Sequence, residues 1–213
     1  MLKNMPKPSI KTLNCEQWES PATAYPISRL GSAEIRRHKY PKGMYEMYGV
    51  AGYRFYNIKK PIPVTELCIG GKVWMVDDPP HYLAMREHAA CYSGHVVCAG
   101  LGLGLIVHTL SQNPRIQSIT VIEREQSVID LIKPLIPECV IIHADFWEDW
   151  EENSGLIFDG VFYDLFVGKG RELLSQAMRV WFQLHERFPG TVRRIHGFRN
   201  EQLASLDNLI ERL

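Results

Sequence analysis

The sequence predicts an α/β fold built on a doubly wound parallel sheet, and three observations lead there. From residue 95 onward, short β-rich runs alternate with helix-periodic ones, the pattern that parallel strands joined by crossover helices produce. The first of these strands, His95 to Ala99, runs into the cluster Gly100-Leu101-Gly102-Leu103-Gly104, which opens an apolar helix. The next strand ends on an acid, Glu123, nineteen residues past Gly104, and ligands in such sheets sit at the carboxyl ends of the strands.

Along the chain, residues 1–43 carry Pro6, Pro8, Pro21 and Pro26 without sustained periodicity and read as an extended arm. Residues 44–92 read as a small antiparallel β unit followed by a helix. Met44 to Val50 and Gly52 to Ile58 flank a Val-Ala-Gly turn, and Val64 to Ile69 and Lys72 to Val76 flank Gly70-Gly71, where both central residues of a tight hairpin can take positive φ. Pro79 to Tyr92 places Tyr82, Met85, Ala89 and Tyr92 at helical spacing, with Gly94 as the stop. Residues 93–213 supply the sheet domain. Its strands are expected at 95–99, 116–122, 139–143, 160–163 and 191–196, and its helices at 103–110, 127–135, 171–188 and 200–213.

A chain of 213 residues with 46% hydrophobic and 23% charged residues is enough for one sizeable core and a small appendage. No run approaches the roughly 18 apolar residues of a membrane-spanning helix, and no apolar stretch follows the basic N-terminus as in a secretory signal. The expectation is a cytoplasmic protein. Five cysteines without a C-x-x-C pair read as reduced thiols among apolar neighbours. The net charge of zero gives no electrostatic ground for nucleic acid as a partner. Charge is unevenly spread: residues 1–95 hold 13 basic against 8 acidic side chains, and the remainder 11 against 16, an asymmetry that suits self-association or an anionic partner.

The glycines at 100, 102 and 104 let the backbone turn sharply and approach a ligand closely. A dinucleotide fingerprint places its third glycine where this chain has Leu105, which weakens a nicotinamide reading. Glu123 ends the strand Thr120-Val121-Ile122, where its carboxylate can accept hydrogen bonds from two adjacent ribose hydroxyls. One strand later, His143-Ala144-Asp145-Phe146 offers a carboxylate for an adenine amino group and an aromatic ring beside it.

These segments resemble the class I S-adenosylmethionine-dependent methyltransferases, and among them the branch similar to spermidine synthases. The resemblance covers residues 72–165, through the glycine loop, the strand ending Val-Ile-Glu-Arg, the strand ending His-Ala-Asp, and Phe158-Asp159-Gly160-Val161-Phe162-Tyr163-Asp164-Leu165. It implies S-adenosylmethionine as cofactor, bound by Gly100, Leu101, Gly102, Gly104, Glu123, Arg124, Asp145 and Phe146, with Asp164 facing the sulfonium and the acceptor. It further implies that the hairpins and Lys72 to Asp78 correspond to the N-terminal β unit of spermidine synthases.

Two departures from that branch favour methyl transfer over aminopropyl transfer. Leu103 stands where polyamine synthases carry an aspartate in the loop. In place of their Tyr-Gln pair and acidic D-S-S-D segment the chain has Tyr82-Leu83 and Tyr163-Asp164-Leu165-Phe166. An amine acceptor calls for several carboxylates, and only Asp164 remains. Methyl transfer to a small-molecule acceptor needs mainly alignment with the sulfonium. A base, where the nucleophile carries a proton, would be Asp164, with Tyr82 or His81 as further candidates. Asp78-Pro79-Pro80-His81 resembles the D-P-P-Y signature of amino-group methyltransferases, but prolines that start a helix explain it as well.

No metal is expected: His88, Cys91 and His95 are interrupted by Gly94 and have no fourth ligand. The fold ends one helix after its fifth strand, two strands short of the usual methyltransferase sheet. That leaves a free edge at 191–196 and an apolar stripe of Leu203, Leu206, Leu209, Ile210 and Leu213, from which a homodimer is expected. A non-catalytic cofactor-binding module, with Arg193, Arg194 and Arg199 facing a partner, is the reading from another class.

Overall fold

A computed structural model describes residues 10–13, 18–50, 52–148, 157–165, 171–198 and 200–210. Seven strands come first: β1 (Ile10–Leu13), β2 (Ser28–Leu30), β3 (Ala33–Tyr40), β4 (Gly43–Gly49), β5 (Gly52–Ile58), β6 (Ile62–Ile69) and β7 (Lys72–Val76). Helix α1 (Pro79–Ala89) leads into an alternation of β8 (Gly94–Ala99), α2 (Leu105–Ser111), β9 (Ile116–Glu123), α3 (Gln126–Ile132) and β10 (Val140–His143). It continues through β11 (Gly160–Tyr163), α4 (Arg171–Arg187), β12 (Val192–Ile195) and α5 (Asn200–Ile210).

The alternating half forms a five-stranded sheet in the order β10-β9-β8-β11-β12, and every pairing in it is parallel. The protein is therefore a mixed α/β molecule with one parallel sheet, and the chain reverses its direction of travel across that sheet between β8 and β11. Alternation along β8 shows that both faces are covered. Val96 and Cys98 pack with Met85, Leu105, Leu110 and Ile132 of the α1–α3 side, while Val97 and Ala99 pack with Ala177, Trp181 and Leu184 of α4 and with Leu203 and Leu206 of α5. All four strand residues are fully buried. A strand enclosed on both faces needs such an unbroken apolar run, and each valine buried in this way contributes about 1.5–3 kcal/mol.

The first half forms two further sheets, β1-β5-β4 and β2-β3-β6-β7. Both expected hairpins are present. β4 pairs antiparallel with β5, and β6 with β7, the latter turning through Gly70 at φ 56° and Gly71 at φ 80°. They belong to different sheets, however. The chain around 28–40 also departs from the expected arm: β3 pairs with β6 from Ala33 opposite Ile69 to Tyr40 opposite Ile62, and Ala33 and Ile35 are fully buried. Only two inward apolar residues precede the run Arg36-Arg37-His38-Lys39, too few for a visible period. What holds this region instead is Arg37, whose guanidinium donates to the carbonyls of Ala22, Thr23 and Tyr25 and to the Thr65 hydroxyl.

The four-stranded sheet packs on α3 through β2 and β3, and the 3-10 turn Pro21–Ala24 packs on α2. The aromatic hydroxyl of Tyr25 lies 3.1 Å from the carbonyl oxygen of Leu103 and 2.7 Å from Nε2 of His108, so the N-terminal segment braces the turn after β8. At the other end, Leu203 and Leu206 are buried against α4 and the sheet within the same chain. This part of the stripe on the last helix is buried within the chain and gives no ground for the expected homodimer. The side chains of Leu209, Ile210 and Leu213, and Arg199, lie outside the described residues. Among the described residues no helix is long and apolar enough to cross a membrane.

Candidate functional site

The turn after β8 is shaped by backbone that only glycine adopts freely. Gly100, Gly102 and Gly104 have φ of 92°, 53° and 69°, in the left-handed region that costs other residues about 1–2 kcal/mol. The neighbours add a steric reason. A Cβ on Gly102 would sit 2.6 Å from Sδ of Met75 in β7, and one on Gly104 would sit 2.4 Å from Ile136. Met75 fills the space that Gly102 leaves, and its sulfur accepts from the Leu103 amide at 3.2 Å.

Beside this turn, at the carboxyl end of the parallel sheet, lies a cavity of about 340 Å³. Its walls come from both halves of the chain. Leu67, Ile69, Trp74 and Met75 of β6 and β7 face Gly100, Gly102, Glu123, Asp145 and Asp164, each of these acids standing at or just past the end of its strand. The size falls in the range of small-molecule sites.

Glu123 ends β9 and is 9% exposed. One carboxylate oxygen accepts from the Leu101 amide and the other from the Glu125 amide, both at 2.9 Å. The side chain thus ties the glycine turn to the start of α3, while each oxygen keeps lone-pair capacity for a ligand. Asp145 follows β10: Oδ1 accepts from the Trp147 amide at 2.9 Å, and Oδ2 lies 3.6 Å from the largely exposed guanidinium of Arg124. Leu101 reaches the site through its backbone amide, since its side chain is buried in the core. Gly104 does not line the cavity. It caps α2 instead.

Phe146 borders the cavity but is only 2% exposed. Its ring stands edge-on to Trp147 and Tyr163, at centroid distances of 5.0 and 5.7 Å, so it is mainly core. Trp147, partly exposed and also on the cavity wall, is the more accessible ring there. Sequence reasoning missed it, although its signal was present: an aromatic two residues past the strand-end acid.

At the other end of the cavity Asp164 follows β11, with its amide reaching the carbonyl of Ala99 at 3.4 Å. Burial pushes its carboxyl above the ordinary range, and His196 partly offsets this. Around it stand two imidazoles. His81 Nε2 is 3.9 Å from Asp164 Oδ2, and the His81 ring stacks on His196 with centroids 4.6 Å apart and planes 20° from parallel. Burial, with His196 and His88 nearby, holds the His81 imidazole well below its usual value. His81 is placed by the start of α1, where Asp78 Oδ1 accepts its amide at 2.9 Å and Pro79 and Pro80 fill the first helical positions. The Asp-Pro-Pro-His stretch is thus a helix cap whose third helical residue faces the cavity.

Tyr82 is not part of this arrangement. One residue on from His81 along the helix, it points about 100° away, is 8% exposed in the core and stands edge-on to Trp18 at 5.9 Å. Of the two further base candidates, His81 lines the cavity and Tyr82 does not. His95 is also remote, exposed and hydrogen-bonded to Ser118 at 2.7 Å. It does not join His88 and Cys91 in a cluster. The metal-capable group among the described residues is instead His81, Asp164 and His196.

Neither models of protein families nor curated proteins match the chain.

Proposed function

We propose that the chain binds S-adenosylmethionine in this cavity and transfers its methyl group to a small-molecule acceptor. The observation that carries the reading is the convergence of the Gly100–Gly104 turn, Glu123 and Asp145 on one cavity at the carboxyl ends of three adjacent strands, with Asp164 at the end of the neighbouring β11. Counted from β8, the strand order is 3-2-1-4-5, the order of doubly wound Rossmann-like sheets, in which ligands sit where the order reverses. Glu123 has oxygen capacity for the ribose, and Asp145 with Trp147 and Phe146 stands where the adenine would lie. Gly100 and Gly102 line the wall against which the methionine portion would lie.

The acceptor end favours methyl over aminopropyl transfer. Among the described residues Asp164 is its only carboxylate, and the nearby walls are Trp74, Met75, Leu165, His81 and His196. Trp74 and Leu165 are 44% and 40% exposed, an apolar lip better suited to an aromatic or apolar molecule than to a polyamine with several ammonium groups.

Calorimetry on the purified chain with S-adenosylmethionine, its decarboxylated form and NAD tests the reading. The expected result is binding of S-adenosylmethionine at about micromolar Kd, with at least tenfold weaker binding of the decarboxylated form and none of NAD. Preference for the decarboxylated form would return the chain to aminopropyl transfer. Binding of NAD alone, or of none of the three, would overturn the cofactor assignment.

A further inference from the structure

The geometry points to a divalent first-row transition-metal site formed by His81, Asp164 and His196 at the acceptor end of the cavity. A ring nitrogen of each histidine and a carboxylate oxygen of Asp164 all lie within 4.8 Å of one another. Two imidazoles and one carboxylate are the donor set of metal sites that keep positions open for a substrate or water. All three residues line the cavity, so the open positions would face it.

The three ligands come from separate elements, each fixed through its backbone. The His81 amide is held by the Asp78 cap. The Asp164 amide points to Ala99. The His196 amide donates to the Tyr163 carbonyl at 2.9 Å. The side chains, by contrast, have partners missing. Nε2 of His81 and Nδ1 of His196 are buried without a hydrogen bond, and the 3.9 Å from His81 to Asp164 is too long for one. Buried imidazole nitrogens left in this state are costly. One cation among them satisfies the set.

The mutual distances are within reach of coordination to one ion. Metal–donor bonds of about 2.0–2.2 Å put donors roughly 3.0–3.4 Å apart, so closure needs a movement of about 1 Å, within reach of small side-chain rotations. His88 stands behind the site, fully buried, with its ring edge-on to His196 at 5.9 Å. It supports the placement of His196 and does not belong to the ligand group. The inference deepens the methyl-transfer reading, on which the ion's role in holding an acceptor oxygen or nitrogen rests. The metal site itself stands on the three side chains alone.

The test uses the full chain, stripped with a chelator, without S-adenosylmethionine. Co²⁺ is titrated in and followed by its visible d–d absorption, and Zn²⁺ by calorimetry. One equivalent is expected, with the spectrum of nitrogen and oxygen ligands and no thiolate charge-transfer band. Asp164→Asn, His81→Gln and His196→Gln should each weaken binding by about 100-fold or more, beyond the 10–100-fold typical of supporting residues, while His95→Gln should bind like wild type. Circular dichroism confirms that each variant is folded. Should one histidine variant not fold, the near-isosteric Asp164→Asn and the other histidine variant decide. Failure of the wild type to bind one equivalent, or undiminished binding in the folded ligand variants, overturns the site. A parallel titration of the metal-free protein with S-adenosylmethionine separates that outcome from failure of the cofactor reading.

Discussion

Replacing Glu123 with glutamine removes one charge and changes almost no volume, yet the structure predicts a large loss of stability. Both carboxylate oxygens accept a backbone amide at 2.9 Å, from Leu101 on one side and Glu125 on the other. Glutamine keeps one acceptor and turns its NH₂ toward the second amide. The variant therefore loses one charge-assisted hydrogen bond, worth about 1.5–3 kcal/mol, and leaves a buried donor facing another donor, for a total of roughly 2–4 kcal/mol. With a urea m-value of about 2–3 kcal/mol/M, the unfolding midpoint should fall by about 1 M at unchanged m. Glu123→Ala, which removes both acceptors, should fall further. Urea unfolding followed by tryptophan fluorescence measures this. If both variants keep midpoints within about 0.2 M of wild type, Glu123 does not tie the glycine turn to α3, and the geometric reason for placing a ligand carboxylate there disappears.

Two further outcomes are expected. Tyr25→Phe strips the hydroxyl that meets the Leu103 carbonyl and His108, and should lower stability by about 1–3 kcal/mol; an unchanged denaturation midpoint would mean that the N-terminal segment does not brace the glycine turn. Burial, only partly offset by Lys133, pushes the Cys139 thiol up from 9.0 to about 11. The thiolate is therefore scarce below that pH, and alkylation by iodoacetamide at pH 8 should run about a hundredfold slower than for an ordinary thiol. Its rate should climb about tenfold per pH unit up to pH 10, and peptide mass spectrometry showing rapid, pH-independent labelling would contradict this.

Much of the second half was legible because its signals are local. An unbroken apolar run such as Val96 to Ala99 needs burial on both faces, and that forces the alternation with helices. The strand at Gly160–Tyr163 matches its expected bounds, and the others differ by a residue or two at their ends, where fraying and capping decide. The first half was less legible because its order comes from polar contacts. β3 carries two buried apolar residues and then four basic or imidazole side chains in a row, and Arg37 gains its place by donating to carbonyls 12 to 15 residues away. No periodicity records such a bond. The apolar stripe of α5 was visible, but spacing along a helix says nothing about which partner buries it, and Leu203 and Leu206 turned out to face the chain's own α4 side.

The cavity divides along the same line. One wall is made of residues that belong to motifs, because a sharp turn imposes glycine at 100 and 102, and a strand end imposes the place of Glu123 and Asp145. The opposite wall is made of single residues whose positions, 81, 164 and 196, become neighbours only when α1, β11 and β12 are assembled. His81 shows why sequence reasoning separated the two. Asp78-Pro79-Pro80-His81 was explained as a helix start, and Asp78 does cap α1. That reading kept His81 only as a further candidate base beside Tyr82. Yet the cap is what fixes the histidine: an amide held by Asp78 in the first turn sends His81 toward Asp164 and Tyr82, the next residue, into the core. The local motif sets the direction of the side chain, and its chemistry comes from Asp164 and His196, which lie 83 and 115 residues further along the chain, just past β11 and β12.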